Sequence, residues 1–287
     1  MFSVIIPFRG DIEQLRQQLD ALLSQPTSQD MEVIVADNYG PGAVVSSQVE
    51  EMVAGMASVR RVYAGDKPGA AYARNVGASH ARGRRLAFVD ADDVVGEGWV
   101  EAMAKALENH PVVASRFEYE RLNPPEVRMG RRPVQSDGLI SYQRPSFLAH
   151  AGGCGLGVRR DVFDELNGFD ETYKVLEDTD FTWRVQLAGH AIRFEPEAVM
   201  HVRLRPTLRR TFAQSFSYGE AHARLQRDYK RFGMPRLGPA ATLLSLVSLL
   251  RALPKLVSPS GRGSYVRTLG NRLGRWVGSL RYRVWAG

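Results

Sequence analysis

The chain has 287 residues, enough for one large domain or a domain with an appendage, and its hydrophobic and charged fractions of 44% and 24% are those of a globular protein. Its single cysteine, Cys154, excludes an intramolecular disulfide framework and a cysteine zinc cluster, and is compatible with a reducing cytosol. The net charge of +7 belongs to the tail: eleven Lys and Arg and no acid follow Asp228, leaving 27 basic against 31 acidic residues before them, which argues against nucleic acid as the substrate of the main domain.

Met1 leads directly into an apolar stretch with no basic n-region, so a cleaved secretory signal is not expected. Residues 3–7 read as a short buried strand. Residues 11–24 read as an amphipathic helix, with Ile12, Leu15, Leu19, Leu22 and Leu23 at helical spacing. A strand over 32–36, a helix over 44–56 and a strand over 59–63 follow. The helix expected over 70–81 is built of small residues, suited to close packing on a sheet. A strand over 85–89, a helix over 99–108 and a strand over 112–119 complete the first part. Strands alternating with helices indicate an α/β fold with a parallel-type sheet covered on both faces.

From 121 to 150 the pattern dissolves into prolines (Pro124, Pro125, Pro133, Pro145) and five arginines (Arg121, Arg128, Arg131, Arg132, Arg144). A connection this long is usually functional or disordered, and a lid or acceptor-side loop is the preferred reading. Order returns with the glycines of 152–157, which imply close approach of the backbone to another group. Short helices over 161–166 and 178–187, strands over 191–194 and 198–202, and a long helix over 206–231 are expected after it.

The strand over 85–89 ends in Asp90-Ala91-Asp92-Asp93, three carboxylates where open α/β sheets bind ligands. Hard oxygen ligands suit Mg²⁺ or Mn²⁺; the competing reading is a polar turn in which Asp92 or Asp93 caps the helix starting near Gly98. A second acidic group, Glu177, Asp178 and Asp180, opens a helix. The helix dipole favours carboxylates there, but three acids exceed what capping needs, and mutual repulsion would raise at least one pKa.

These segments line up in a recognisable order: Val4-Ile5-Ile6-Pro7-Phe8-Arg9, Val35-Ala36-Asp37-Asn38, Gly69 to Gly77 with Arg74 and Asn75, Phe88 to Asp93, Gly168-Phe169-Asp170-Glu171, Glu177 to Arg184, and Pro196 to His201. Over residues 2–203 the chain resembles the family 2 glycosyltransferases of GT-A fold, which move a sugar from a nucleotide-sugar with inversion. The resemblance implies a GT-A, Rossmann-like, mixed and mainly parallel sheet over 1–205, with a basic helical extension over 206–287. It implies Asp92 and His201 as ligands of Mn²⁺ or Mg²⁺, with Asp90 at the ribose or at the metal through water; read without the family, His201 is a structural histidine at a strand end. It implies Asp178 as the base that deprotonates the acceptor, with Glu177 and Asp180 orienting the acceptor or the helix. Asp37 matches the position that reads the base, next to the turn of Pro7 and Arg9; Arg74 lies near the nucleotide and Gly153 under the transferred sugar. Asn38-Tyr39-Gly40 departs from the acid-rich run common at that point. Trp183 is read as a core aromatic.

The implied activity is a metal-dependent inverting transfer to a saccharide or lipid-linked acceptor, in envelope polysaccharide or glycolipid synthesis. The alternative is a catalytically silent membrane adaptor of the same fold. Residues 239–250 carry no charge and five leucines, too few to span a bilayer, and are followed by cations interleaved with Trp276, Tyr282 and Trp285. That pattern describes an element lying on an anionic membrane, which would place the protein at the cytoplasmic face; an oligomer-packing helix is the other reading.

Overall fold

The computed structural model describes residues 1–128, 131, 133–141, 147–235 and 238–286. The chain divides into two compact units. The first comprises Met1–Glu118, Pro133–Ile140 and His150–Val202; the second comprises Tyr119–Arg132, Ser141–Ala149 and Arg203–Gly287. Of the loop residues singled out from sequence, Arg132, Arg144 and Pro145 lie outside the described residues.

The first unit is built in the order β1 (Phe2–Phe8), α1 (Ile12–Leu23), β2 (Met31–Asp37), α2 (Val44–Val53), β3 (Val59–Tyr63), α3 (Ala70–His80), β4 (Arg85–Phe88), β5 (Val94–Val95), α4 (Trp99–Asn109) and β6 (Val112–Glu118). After the second unit's short α5 (Pro125–Arg128) come β7 (Leu156–Arg159), α6 (Arg160–Glu165), α7 (Glu177–Leu187) and β8 (Ile192–His201). Among the described residues the strands form one sheet in the order β3-β2-β1-β4-β7-β6-β8-β5. Strands β3, β2, β1 and β4 are parallel, as is the β6–β8 pair, whereas β7 and β5 run antiparallel to their neighbours.

Two strands expected over 191–194 and 198–202 are one strand, β8. Its register against β6 jumps from Ser115↔Glu195 to Arg116↔Val199, so a bulge absorbs Pro196, whose nitrogen has no proton to give the ladder. The two-residue β5 was not foreseen. It separates the carboxylate turn from α4, whose N-cap is Gly98 with no side-chain capping bond, so Asp92 and Asp93 do not cap that helix.

The central strands carry unbroken apolar runs because helices cover both faces; Val4, Ile5, Ile6, Val33, Ile34 and Val35 are fully buried. Helix α3 packs on β1 at Gly77, where a Cβ would collide with the Ile5 side chain. Under β4 sits an aromatic cluster of Phe88, Phe163, Phe169 and Phe181, with Phe169 centred 5.0 Å from Phe88 and 4.9 Å from Phe181. Burying each such ring contributes about 1.5–3 kcal/mol. Trp183 is fully buried, as a core aromatic.

The second unit holds α5, α8 (Leu208–Tyr229), α9 (Pro239–Arg251) and α10 (Pro259–Tyr282). Gly270, Gly274 and Gly278 recur every four residues on α10 and lie against the carbonyls of Phe212, Phe216 and Glu220 on α8. The increasing numbers on both helices show that they run parallel, backbone on backbone. Among the described residues no helix is long and apolar enough to cross a membrane.

Candidate active site

The C-terminal ends of β1, β2 and β4 lie side by side at one edge of the sheet, and the acidic segments gather there and at the start of α7. Arg74, on α3, stands among them. It is 3% exposed, donates from Nη2 to Asp90 Oδ1 at 2.7 Å and from Nη1 to Glu177 Oε1 at 2.5 Å. Its guanidinium lies 5.5 Å from the centre of the Phe169 ring, which joins the site to the aromatic core. Burial works against its charge, but Asp90, Glu177 and Asp178 outweigh this and hold its pKa above the usual arginine value.

Arg74, Asn75 and Gly77 of α3 each have a separate task. Asn75 accepts from the Phe169 amide at 2.9 Å and donates to the Phe169 carbonyl at 2.9 Å, fixing the Gly168-Phe169 turn. Gly77 admits β1. A φ of +142° at Gly69, just before α3, is a conformation that side chains resist.

Asp178 is partly buried at the start of α7. Its Oδ2 accepts from the Gly153 amide at 2.7 Å and its Oδ1 from the Thr179 amide at 2.7 Å. Burial raises the Asp178 pKa; the Gly153 amide, Arg74 and the Thr179 amide oppose the rise, and Asp90 adds to it. Glu177 is likewise raised by burial, with Arg74 lowering it and Asp178 raising it. The upward shift expected from crowding is present, but desolvation leads and repulsion is secondary. Leu176, the residue before them, has φ +63°, a left-handed conformation unusual for a bulky residue. A Cβ on Gly153 would come within 3.1 Å of Arg74 Nη2, so the glycine lets the loop lie against the guanidinium.

The carboxylate turn is held from behind by Gln18 of α1, which is fully buried. It donates to the Asp90 carbonyl at 3.2 Å and accepts from the Val95 amide at 3.0 Å. Among the described residues, Asp90, Asp93 and Cys154 form the one group with three donor atoms close enough to share a cation, all within 4.8 Å. Asp92 lies in the same turn but, like His201, is not in that group. The carboxylates suit a hard cation. Cys154 does not: burial, then Asp93, Asp90 and Asp178, push its thiol well above its ordinary pKa, so it remains a neutral sulfur.

His201 ends β8 opposite Val94 of β5, and its Nδ1 is 2.5 Å from Glu118 Oε2. A carboxylate on one ring nitrogen is the arrangement that orients a metal-ligating histidine through the other.

At the ends of β1 and β2, Asp37 is fully buried and grips Arg61, with Nε and Nη2 each 2.8 Å from Oδ2, and it accepts from the Tyr39 amide at 3.0 Å. Asn38, the departure from the expected run, is a staple: its amide donates to the carbonyls of Ala64 and Lys67, and its oxygen accepts from Gly69 at 2.8 Å. Tyr39 donates to the Gly10 carbonyl at 2.9 Å and packs its ring, tilted, against Phe8 with centres 5.8 Å apart, closing the turn next to Pro7 and the exposed Arg9.

Thus Arg74, Asp90, Gly153, Glu177 and Asp178 are brought into one cluster. Asp37, Pro7 and Arg9 lie together at the neighbouring strand ends, while His201 sits at β8 with Glu118. Residues that the sequence reading passed over are Gln18, Arg61, Glu118 and Gln135. Gln135 is fully buried, donates to the Ser115 carbonyl at 2.6 Å and accepts from the Gly152 amide at 3.0 Å, anchoring the glycine loop. Only Gln18 left a sequence signal, a polar residue on the Leu15–Leu19–Leu22 face.

The sequence profile of Glycosyl transferase family 2 matches residues 3–166. The chain belongs to that family. A pre-mycofactocin glycosyltransferase of Mycobacterium tuberculosis (strain CDC 1551 / Oshkosh) is 28% identical over 273 residues, covering 89% of this chain and 54% of that protein. An uncharacterized glycosyltransferase, EpsJ, of Bacillus subtilis (strain 168) is 24% identical over 217 residues, covering 72% of this chain and 62% of that protein. The chain therefore spans little more than half the length of these family 2 relatives. Among solved structures, a mannosyltransferase from Pyrobaculum calidifontis in complex with GDP-Man and Mn²⁺ matches with a TM-score of 0.65 and 16% identity, over 97% of this chain and 86% of that one. Staphylococcus aureus TarS in complex with UDP-GlcNAc matches with a TM-score of 0.58 and 16% identity, over 98% and 91%. The fold of this family 2 member is GT-A.

Proposed function

We propose that the protein transfers a sugar from a nucleoside-diphosphate sugar to an acceptor hydroxyl with inversion, in a metal-dependent reaction. The observation that carries this reading is the Arg74 bridge, which ties the carboxylate turn at Asp90 to Glu177 beside Asp178. Donor-side and acceptor-side acids are thereby set by one buried cation. The GDP-Man and UDP-GlcNAc of the two solved relatives support a nucleotide-sugar donor, and the Mn²⁺ of the first supports a divalent ion.

Asp178 is the general base. Its raised pKa makes its carboxylate a stronger proton acceptor, and the two backbone amides aim it. It takes the acceptor proton as the hydroxyl oxygen attacks the anomeric carbon from the face opposite the departing diphosphate. Asp92 and His201, with Asp90 at the ribose or at the metal through water and Asp93 close beside Asp90 in the same turn, would hold Mn²⁺ or Mg²⁺, which when bound supplies Lewis-acid stabilisation of the diphosphate charge. Asp37 with Pro7 and Arg9 lines the nucleoside end, Arg74 sets Asp90, and Gly153 leaves room under the sugar. A silent adaptor would not need these acids, and all of them are present.

We further infer that the second unit rests on an anionic membrane surface at the cytoplasmic face, serving a lipid-linked or envelope saccharide acceptor. Leu243, Leu246 and Leu250 share one exposed face of α9, and Leu253, Leu256 and Val257 continue the exposed apolar run, with Arg251 and Lys255 among them.

The test is calorimetric titration with UDP, GDP, dTDP and CMP, with and without Mn²⁺, on the wild type and Asp92→Asn. Metal-dependent binding of one nucleotide that is lost in the variant supports the reading. Binding of none, with metal and acceptor present, would sink it.

A further inference from the structure

The second unit contains a charge imbalance that the transfer reaction does not use. Arg131 lies three positions beyond the end of α5, and its amide donates to the Arg128 carbonyl at 2.8 Å. Its Nη2 donates to Thr211 Oγ1 at 3.1 Å, in the first turns of α8. Arg267 lies on α10 one turn before Gly270, where a Cβ would come within 2.8 Å of the Phe212 carbonyl oxygen, so it too lies towards the start of α8. Arg131 Nε and Arg267 Nη1 are both shut off from solvent without a hydrogen-bond partner. Among the described residues neither arginine has an ion pair.

Burial lowers the Arg131 pKa to about 10, helped by the charge of Arg267, and burial lowers that of Arg267 as well. Tyr119 opposes both shifts. Arginine remains protonated at neutral pH, so the charge of Arg267 acts on a second like charge at Arg131, and each carries a buried donor without a partner. An isolated buried charge is costly unless it is paired and hydrogen-bonded. A phosphate group carries about −1.5 to −2 charge and three acceptor oxygens, which matches two guanidinium forks and a hydroxyl. The absence of any acid after Asp228 removes α10 as a source of an internal counter-charge.

We propose that Arg131, Arg267 and Thr211 form a phosphate-binding site in the second unit, distinct from the carboxylate-lined site of the first. The ligand is a phosphate group, free in solution or borne on a lipid headgroup.

The test uses the full chain without divalent cations. Unfolding temperature and phosphorus NMR titration are followed with inorganic phosphate against chloride at matched ionic strength, for the wild type, Arg131→Gln, Arg267→Gln and Arg267→Lys. The wild type should melt higher in phosphate. Both Gln variants should lose about tenfold or more in phosphate affinity. In chloride they should melt at or above the wild type, because a repelling buried charge has gone. Arg267→Lys keeps the charge without the fork and should bind phosphate more weakly while staying folded. An unchanged phosphate response in all variants overturns the proposal, as does a loss of stability in chloride with the response retained. Cosedimentation with phosphatidylcholine vesicles, with and without phosphatidic acid, separates the sources. Dependence on the same arginines identifies a headgroup, and phosphate binding without such dependence identifies a soluble phosphate. None of these three readouts involves sugar transfer, so the outcome stands apart from that of the proposed activity.

Discussion

The two units treat arginine in opposite ways. In the first, Arg74 is enclosed by carboxylates and Arg61 grips Asp37, so buried charge is matched within the fold. In the second, Arg131 and Arg267 are each partly buried, the charge of Arg267 acts on Arg131, and among the described residues neither has an ion pair. Matched charge preorganises a site: the groups stay in place before substrate arrives, and little has to reorganise when charge develops. Unmatched charge instead marks a surface whose energetics are incomplete until an anion is added. The packing differs too, since side chains of an aromatic cluster fill the first unit under β4, whereas α8 and α10 meet through glycine backbone.

Four substitutions break or sharpen that contrast. The largest effect is expected from Asp178→Asn, which should lower turnover about 10²–10⁴-fold while donor binding is retained. Turnover within a few-fold of wild type would remove Asp178 from the base role.

Arg74→Gln strips the matched charge from the first unit. It leaves Asp90 and Glu177 without their cation, and about 3–5 kcal/mol of stability should be lost by denaturant titration at neutral pH. The pH dependence has a definite sign. A carboxyl whose folded pKa is raised binds protons more readily in the folded state, so Glu177 and Asp178 disfavour folding at neutral pH and this is relieved as pH falls through their folded values. Removing Arg74 takes away a lowering influence on both. The acidic limb of the turnover profile should therefore move to higher pH than in the wild type, and a limb that stays put or moves down would contradict the assignment.

Gly274→Ala tests the backbone seam of the second unit. Its Cβ would overlap the Phe216 carbonyl, and about 1–3 kcal/mol should be lost without change in nucleotide binding. Gln18→Leu is the mildest. It keeps the shape of α1 but leaves the Val95 amide without its acceptor, at a cost of about 1 kcal/mol and a weaker donor KM with little change in the melting profile.

The sequence carried the helical and strand periods, the order of the acidic segments and the need for small residues at Gly77 and Gly153, because each is a local pattern. It also announced the acid-free tail. It misjudged the strand around Pro196, because a bulge against β6 is a property of two strands and not of one. It attributed the raised pKa at Glu177 and Asp178 to crowding, because neighbours in sequence are visible while burial is not.

The identity of the partners lay outside any local pattern. Asp90 and Glu177 are separated by 87 positions yet share Arg74, and His201 meets Glu118 across the β6–β8 pair. Gln135 reaches Ser115 and Gly152 from a stretch that reads as irregular loop. Residue type and spacing sufficed to say which groups can do chemistry, since that follows from covalent structure and local period. Which of them touch, how far each is desolvated, and which cations are left without a counter-charge depend on contacts between distant segments, and only the folded chain settles those.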